Sequence, residues 1–225
     1  SIPTSVILSA FLLAILSFES SSNQLALSPH RRGGGRMEEL ERAARIAVHN
    51  CLAVKRGEKV IVIADEPLLS IGRLLWQESR NEGADAILVE IAPRSSHGEE
   101  PPEPLPRLMM EADVLIIPTS KSMSHTKARR EACKAGARCV TLPGIREETF
   151  RRALNADYKE IALVTRRLAE LLSNGERAEV VTQSGTEITM SLSGRAGYAD
   201  TGLVHKQGDF SNLPAGEAYI APVEG

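Results

Sequence analysis

A single carboxylate, Glu217, stands at the junction between a turn and a short strand near the end of the sequence. Before it, Pro214 fixes the backbone φ angle and Gly216 permits a sharp bend, so regular structure is not expected to run into this point. After it, residues 218–221 form a short apolar strand. A carboxylate at such a junction can be a metal ligand, a general base or a charge at a strand edge, and the residues alone favour the strand-edge charge.

A polar loop, residues 119–125 (TSKSMSH), is a second candidate. It follows a predicted strand and precedes a predicted helix, and it offers hydroxyls, an ammonium group and a helix N-terminus, which together suit an anion. A simpler interpretation is that Ser124 caps the helix and the remainder is a polar loop. The simpler interpretation is favoured.

Other titratable groups are interpreted as structural. His97 with Glu99 and Glu100 belongs to a proline-rich loop that is expected to be a solvated acidic segment. The pair Asp200 and His205 can be metal ligands, but loops often carry such residues. His49 lies beside the apolar stripe of a helix, where a packing role is expected. Neither the dinucleotide-binding Gly-x-Gly-x-x-Gly motif after a strand nor the P-loop motif occurs in the sequence. The run Gly33–Gly34–Gly35 follows no predicted strand, so it is not interpreted as a phosphate-binding loop.

Composition excludes several classes of function. A formal net charge of −2 and 4% aromatic residues argue against a nucleic-acid-binding surface. The three cysteines (Cys51, Cys133 and Cys139) are too few for a disulfide framework and contain no Cys-x-x-Cys pair. They predict buried thiols in a reducing compartment, and hence a cytoplasmic protein.

Apolar runs alternate with helical patterns over residues 37–175, which predicts an α/β domain with a parallel, helix-covered sheet of the Rossmann or flavodoxin type. Residues 176–225 predict a mainly β second domain with a two-residue hairpin turn at Ser184–Gly185 and a glycine-rich loop over residues 193–212. A hairpin, a loop and one strand bury too little to fold alone, so this domain is expected to be incomplete.

The first 36 residues combine an apolar run, residues 6–18, with a basic glycine-rich linker. The run is short for a membrane span and has no preceding Lys or Arg. A signal anchor, a cleaved leader and an upstream extension before a natural start at Met37 are all compatible with it. We favour the extension and expect residues 1–36 to lie outside the fold, without stable membrane insertion.

The segment NLPAGEAYIAPVEG, residues 212–225, resembles the part of the aminopeptidase T-like metallopeptidases that carries their first metal-binding glutamate. The similarity runs from about residue 37 to residue 225 and includes residues 124–129, 136–145, 194–195, 200–202 and 208–210. It implies a metal-dependent aminopeptidase that hydrolyses N-terminal residues from peptides with a water activated by two zinc, cobalt or manganese ions. Glu217 matches the metal glutamate, and Glu224 is a weaker candidate for a supporting role.

Family members carry further glutamate, histidine and aspartate ligands after this segment and form homodimers. The resemblance therefore implies that a chain ending at Gly225 is truncated and inactive. Ring-cleaving dihydroxypyridine dioxygenases, which bind iron, share the scaffold and are the alternative enzyme class. A non-catalytic module that binds a ligand at residues 119–125 is the third hypothesis.

Overall fold

The computed structural model describes residues 5–7 and 34–223. They divide into two compact units. The sheet unit consists of residues 34–161 and 201–216, and the ribbon unit consists of residues 5–7, 162–200 and 217–223. Within the described residues, none of the helices has both the length and the apolar character needed to cross a membrane.

The elements follow in chain order. The helices are α1 (Gly34–Arg45), α2 (Leu69–Asn81), α3 (Leu105–Met110), α4 (Lys127–Lys134), α5 (Glu147–Ala153) and α6 (Tyr158–Asn174), with a π-helical continuation of α1 over Ile46–Cys51 and a 3-10 turn over Glu66–Leu68. The strands are β1 (Ser5–Ile7), β2 (Lys59–Asp65), β3 (Asp85–Ile91), β4 (Val114–Ile117), β5 (Arg138–Thr141), β6 (Arg177–Val181), β7 (Glu187–Ser191), β8 (Gly197–Asp200), β9 (Phe210–Asn212) and β10 (Glu217–Ile220).

The sheet unit contains a five-stranded sheet in the order β3-β2-β4-β5-β9, and all its neighbouring strands are parallel. From β2 the chain goes first to β3 on one side and then to β4 on the other. The strand order therefore reverses between β2 and β4. Open parallel sheets bind ligands beyond the carboxyl ends of the strands at such a point.

Both faces of this sheet are buried, which explains why its inner strands are apolar without alternation. In β2, Val60 and Val62 point into a core formed with α1, α2 and α5, whereas Ile61 and Ile63 point into a second core formed with α3 and α4. Burial of a side chain of this kind stabilises the fold by roughly 1.5–3 kcal/mol. A single-residue slip of the register would exchange the two sets of side chains between the cores.

The ribbon unit is mainly β. Strands β6 and β7 form an antiparallel hairpin, β1 pairs in parallel with β6, and β8 pairs antiparallel with β10. The hairpin closes with a hydrogen bond from the Thr182 N–H to the Thr186 carbonyl, so its turn has one residue more than predicted. Gly185 adopts φ +95° in that turn, a conformation that glycine accommodates without strain.

The predicted α/β fold with a parallel, helix-covered sheet is confirmed. Two elements differ, because β8 and β9 lie where the sequence predicts a loop over residues 193–212. The domain boundaries after residues 36 and 175 stay predictions. Apart from residues 5–7, the N-terminal leader and most of the basic linker lie outside the described residues, as does Glu224.

Candidate functional site

Glu217 is the first residue of β10, and its side chain is exposed. Its cross-strand partner in the ladder is Asp200, the last residue of β8. Directly opposite residues of an antiparallel pair project from the same side of the sheet, with their Cβ atoms roughly 5 Å apart. The ladder therefore places two carboxylates side by side in the ribbon unit.

A pair of tyrosines lies on the same side of the β8–β10 pair as the two carboxylates. Tyr198 and Tyr219 are also cross-strand partners, and each lies two residues from a carboxylate. Their rings stack with centroids 5.7 Å apart at an angle of 25°, and both are more than half exposed. We call the four residues Asp200, Glu217, Tyr198 and Tyr219 the carboxylate–tyrosine face.

The opposite side of the β8–β10 pair packs on α6. Ala218 and Ile220 contact the core cluster of the ribbon unit, formed by Leu172, Ala178 and Leu192. Gly197 lies so near the helix that a Cβ built on it would be 2.4 Å from the Ala169 carbonyl oxygen. This close packing holds the β8–β10 pair so that its carboxylate–tyrosine face points away from α6.

The bend before β10 follows the sequence prediction. Gly216 adopts φ +135°, and a Cβ built on it would lie 2.8 Å from Cγ2 of Ile161. Conformation and space therefore both require glycine at this position.

The carboxylate–tyrosine face does not form a complete metal site. Among the described residues, no group of three or more His, Cys, Asp or Glu side chains converges in a way that could hold a metal ion. Catalytic metal sites use about three protein ligands or more. The two carboxylates Asp200 and Glu217 supply at most part of such a set.

Three histidines, interpreted from the sequence as structural, each have a partner in the structure. His205 Nε2 lies 2.8 Å from the Asn50 carbonyl oxygen. His49 is exposed rather than packed, with its Nδ1 3.1 Å from the Glu82 carboxylate. His97 Nδ1 accepts a hydrogen bond from the Ser122 N–H. These contacts give each ring a structural role.

A second polar cluster lies at the carboxyl edge of the main sheet, where the strand order reverses. Asp65 ends β2 and is 1% exposed. One of its carboxylate oxygens, Oδ2, accepts hydrogen bonds from the N–H and the hydroxyl of Ser120, which follows β4. The other, Oδ1, has no hydrogen-bond partner among the described residues.

Three polar side chains join β5, β9 and the loop before α4. The Ser124 hydroxyl lies 2.8 Å from the Thr141 hydroxyl and donates to Asn212 Oδ1 at 2.9 Å. Thr141 also donates to Asn212. The prediction that Ser124 caps the helix is therefore wrong. Its hydroxyl instead ties the loop to the ends of two strands.

Thr126 is the actual N-cap of α4. It has extended backbone angles, and its side chain accepts a hydrogen bond from the Arg129 N–H. The Ala128 N–H donates to Glu100 Oε2 at 3.0 Å, and the Lys127 N–H donates to Oε1 of the same carboxylate. Glu100 thus provides the negative charge that the start of a helix favours. The anion-binding interpretation of residues 119–125 loses these two donors.

Replacing Thr126 with alanine is expected to lower the free energy of unfolding by about 1 kcal/mol, because the Arg129 N–H loses its acceptor. Thr126→Ser keeps the hydroxyl and is the matched control, for which a much smaller loss is expected. Urea unfolding monitored by circular dichroism measures both. Equal losses in the two variants would show that the methyl group, rather than the cap, accounts for the effect.

A cavity of about 470 Å³ opens beyond the ends of β5 and β9. Its volume lies in the range of small-molecule pockets. Arg146 is the charged residue among those that line it, which are Pro143, Gly144, Ile145, Arg146, Thr149, Asn212, Leu213 and Pro214.

With the fold and these surfaces described, comparison with known proteins identifies the class of protein. The family model of 2,5-dihydroxypyridine 5,6-dioxygenase, NicX, matches residues 43–225, so most of the sheet unit and all of β6 to β10 are covered. The chain belongs to this family. None of the curated proteins matches the chain.

Two solved structures share the fold. The 2,5-dihydroxypyridine dioxygenase from Pseudomonas putida KT2440 has a TM-score of 0.65 at 14% identity, over 84% of this chain and 57% of its own. AmpT from Thermus thermophilus has a TM-score of 0.55 at 18% identity, over 83% of this chain and 62% of its own. The chain therefore spans less than two thirds of either relative. The resemblance to aminopeptidase T holds for the fold, whereas the family is that of the dioxygenase.

Proposed function

We propose that the chain forms part of a metal-dependent dioxygenase that opens the ring of a dihydroxylated pyridine. The observation that carries the proposal is the match of the dioxygenase family model to residues 43–225. The match includes β8 and β10, the two paired strands that carry Glu217 and its cross-strand partner.

The carboxylate–tyrosine face supports this choice of substrate class. Exposed tyrosine rings offer flat apolar surfaces on which an aromatic ring can stack, with a contribution of about 1 kcal/mol beyond burial. The adjacent Glu217 and Asp200 carboxylates can accept hydrogen bonds from ring hydroxyls. A planar, hydroxylated ring therefore suits this face better than an extended peptide does.

We further propose that Glu217 supplies one carboxylate ligand to the metal and that the other ligands come from outside the described residues. Carboxylate oxygens are suitable ligands for iron as well as for zinc, cobalt and manganese. When bound, the metal would supply the activation of dioxygen. Glu217 would hold the ion, and Tyr198 and Tyr219 would orient the ring.

The reaction class can be tested on the full-length protein loaded with ferrous iron. With 2,5-dihydroxypyridine, we expect oxygen uptake together with loss of the ring absorbance and, under ¹⁸O₂, two labelled oxygen atoms in the product. A polypeptide of residues 1–225 alone is expected to be inactive, because the described residues hold no complete ligand set. Absence of oxygen uptake by the iron-loaded full-length protein would contradict the proposal.

The role of Glu217 can be tested by metal binding, independently of turnover. Glu217→Gln in the full-length protein is expected to weaken the affinity for the divalent ion by about tenfold or more, since one charged ligand is lost. Glu187→Gln, which changes an exposed strand glutamate elsewhere in the ribbon unit, is the matched control and should leave affinity unchanged. Calorimetric titration measures both. Equal affinities for the two variants would remove Glu217 from the metal site.

Metal-dependent aminopeptidase activity is the second candidate. It is favoured by the shared fold with AmpT and by the resemblance of residues 212–225 to the metal-binding segment of that group. Hydrolysis of a leucine anilide by the cobalt- or zinc-loaded full-length protein, without oxygen uptake, would support this candidate over the dioxygenase.

A further inference from the structure

Two of the three cysteines, Cys133 and Cys139, lie in one buried core cluster of the sheet unit. Cys133 is in the last turn of α4, and Cys139 lies on β5 just beyond the connecting turn. The turn between them is tight, with hydrogen bonds from the Gly136 N–H to the Cys133 carbonyl and from the Ala137 N–H to the Ala132 carbonyl, and the two thiols influence one another's ionisation. Cys133 is 8% exposed, whereas Cys139 is fully buried. An incoming reagent therefore meets Cys133 first.

A fixed cation lies beside the Cys133 sulfur. Arg129 is one helical turn before Cys133 on α4, and its positive charge acts on the Cys133 thiol. The guanidinium is held in place because its Nε donates to the Ser124 carbonyl at 2.8 Å and its Cζ lies 4.0 Å from the centre of the Phe210 ring. Such partners stabilise a thiolate.

The charges around Cys133 favour its ionised form. The hydrogen bond from Cys139, followed by the hydrogen bond and charge of Arg129, lowers the pKa of Cys133 to about 7, although burial and the Asp209 carboxylate oppose the change. Burial raises the pKa of Cys139. Burial also raises the pKa of Cys51, the third cysteine, to about 12. The chain thus contains one activated thiol, one neighbouring thiol and one inert thiol.

We propose that Cys133 and Cys139 form a peroxide-oxidisable dithiol, in which Cys133 attacks and Cys139 resolves. The Cys133 thiolate attacks one oxygen of a hydroperoxide, so that the S–O bond forms, the O–O bond breaks and the leaving oxygen takes a proton from solvent. The Cys139 sulfur then attacks the Cys133 sulfenic acid, and water leaves with the thiol proton. The two thiols are oxidised by two electrons and the peroxide is reduced.

Peptide mapping of the wild-type protein tests this directly, because trypsin separates the cysteines. Cys51, Cys133 and Cys139 fall in the peptides IAVHNCLAVK, EACK and CVTLPGIR. After a brief treatment with stoichiometric hydrogen peroxide, we expect EACK joined to CVTLPGIR with the loss of two hydrogens, and IAVHNCLAVK unchanged. Reduction should restore the free peptides. Oxidation of all three peptides at equal rates, or of none, would overturn the proposal.

Two variants separate the roles. Cys139→Ser keeps a hydroxyl beside Cys133 but removes the resolving sulfur, so a dimedone-type probe should label EACK in this variant. In Cys133→Ser, the CVTLPGIR peptide should stay reduced under the same treatment. Circular dichroism melting confirms that each variant folds, and the wild-type map remains decisive if one does not. If CVTLPGIR in Cys133→Ser were oxidised as fast as it is in the wild type, the assignment of Cys133 as the attacking thiol would be refuted.

The contribution of Arg129 has its own readout. In the wild type, the rate of alkylation of Cys133 by iodoacetamide should rise with pH around a midpoint of about 7. Arg129→Gln is expected to move that midpoint upward and to slow alkylation at pH 7 by roughly threefold or more, since the thiolate fraction falls. Unchanged midpoints would show that the guanidinium does not activate the thiol.

Discussion

Arg138→Leu is expected to lower the free energy of unfolding by about 3 kcal/mol, the lower end of the range for breaking a buried ion pair by removing one partner. Arg138 begins β5 and is 6% exposed. Its guanidinium donates two parallel hydrogen bonds to the Glu58 carboxylate, at 3.0 and 2.7 Å, and a third to the Leu52 carbonyl at 3.2 Å. The substitution leaves a partly buried carboxylate and a carbonyl without these donors.

Urea unfolding of the wild type and the variant measures the loss. Arg152→Leu is the matched control, because Arg152 pairs with Glu148 on one exposed helix, with both side chains more than two thirds exposed. Exposed pairs of this kind contribute under about 0.5 kcal/mol. Similar losses of unfolding free energy in both variants would mean that the burial and geometry of the Arg138–Glu58 pair add nothing to stability.

The same pair predicts how stability depends on pH. Burial tends to raise the pKa of Glu58, but the hydrogen bonds from Arg138 and the Lys55 N–H, with the nearby positive charges, lower it below its usual 4.5. Because the folded pKa is below the unfolded one, this contribution to stability is complete above pH 4.5 and is lost as the pH falls through the folded pKa. Glu58→Gln should therefore weaken the dependence of stability on pH below this value.

Gly72→Val is expected to lower the free energy of unfolding by about 3 kcal/mol, at the upper end of overpacking effects in cores. Gly72 lies on α2, and a Cβ built on it would be 2.7 Å from the Ala64 Cβ on β2. Ala64 is fully buried near the end of β2, where the backbone is paired with β3, so the added Cβ meets a closely packed strand. Gly72→Ala should also destabilise the protein, because the clash outweighs the gain of about 1 kcal/mol in helix propensity.

A glycine with free space provides the control. Gly35 lies in α1 and would have nothing within 4 Å of an added Cβ. Gly35→Ala is therefore expected to stabilise the protein by less than the roughly 1 kcal/mol of a helix interior, because Gly35 is the second residue of α1. Thermal and urea unfolding of the three variants gives the comparison. A gain in stability for Gly72→Ala would show that the helix can move away from the sheet at small cost.

The main sheet could be predicted from the sequence because its inner strands are short apolar runs between clear helical patterns. Strand β9 could not, since Phe210–Asn212 contains a single apolar residue and joins the sheet through backbone pairing with β5. The sequence alone does not distinguish Ser124 from Thr126 as the helix cap, because both are good cap residues. Only the backbone angles and the contacts of the two side chains distinguish them.

The candidate site was predictable in part. The turn, Gly216 and the start of a strand at Glu217 follow from local residue types, and the structure has all three. The neighbouring carboxylate and the tyrosine stack could not be foreseen, because they depend on the register between β8 and β10. The pairing of Cys133 with Cys139 likewise needs the turn between α4 and β5, which brings together residues that a count of cysteines treats separately.

Strand β9 is synthesised long after β5, its partner in the sheet, and this order affects how the chain folds. Strands β2 to β5 follow one another closely, whereas the partner of Cys139 on β9 is Phe210, which emerges from the ribosome only after α6, β6, β7 and β8. Until then, the backbone donors and acceptors along the outer side of β5 are open to pairing with another chain. The long sequence separation between β5 and β9 predicts slow final closure of this edge, which stays open to aggregation until β9 pairs with it.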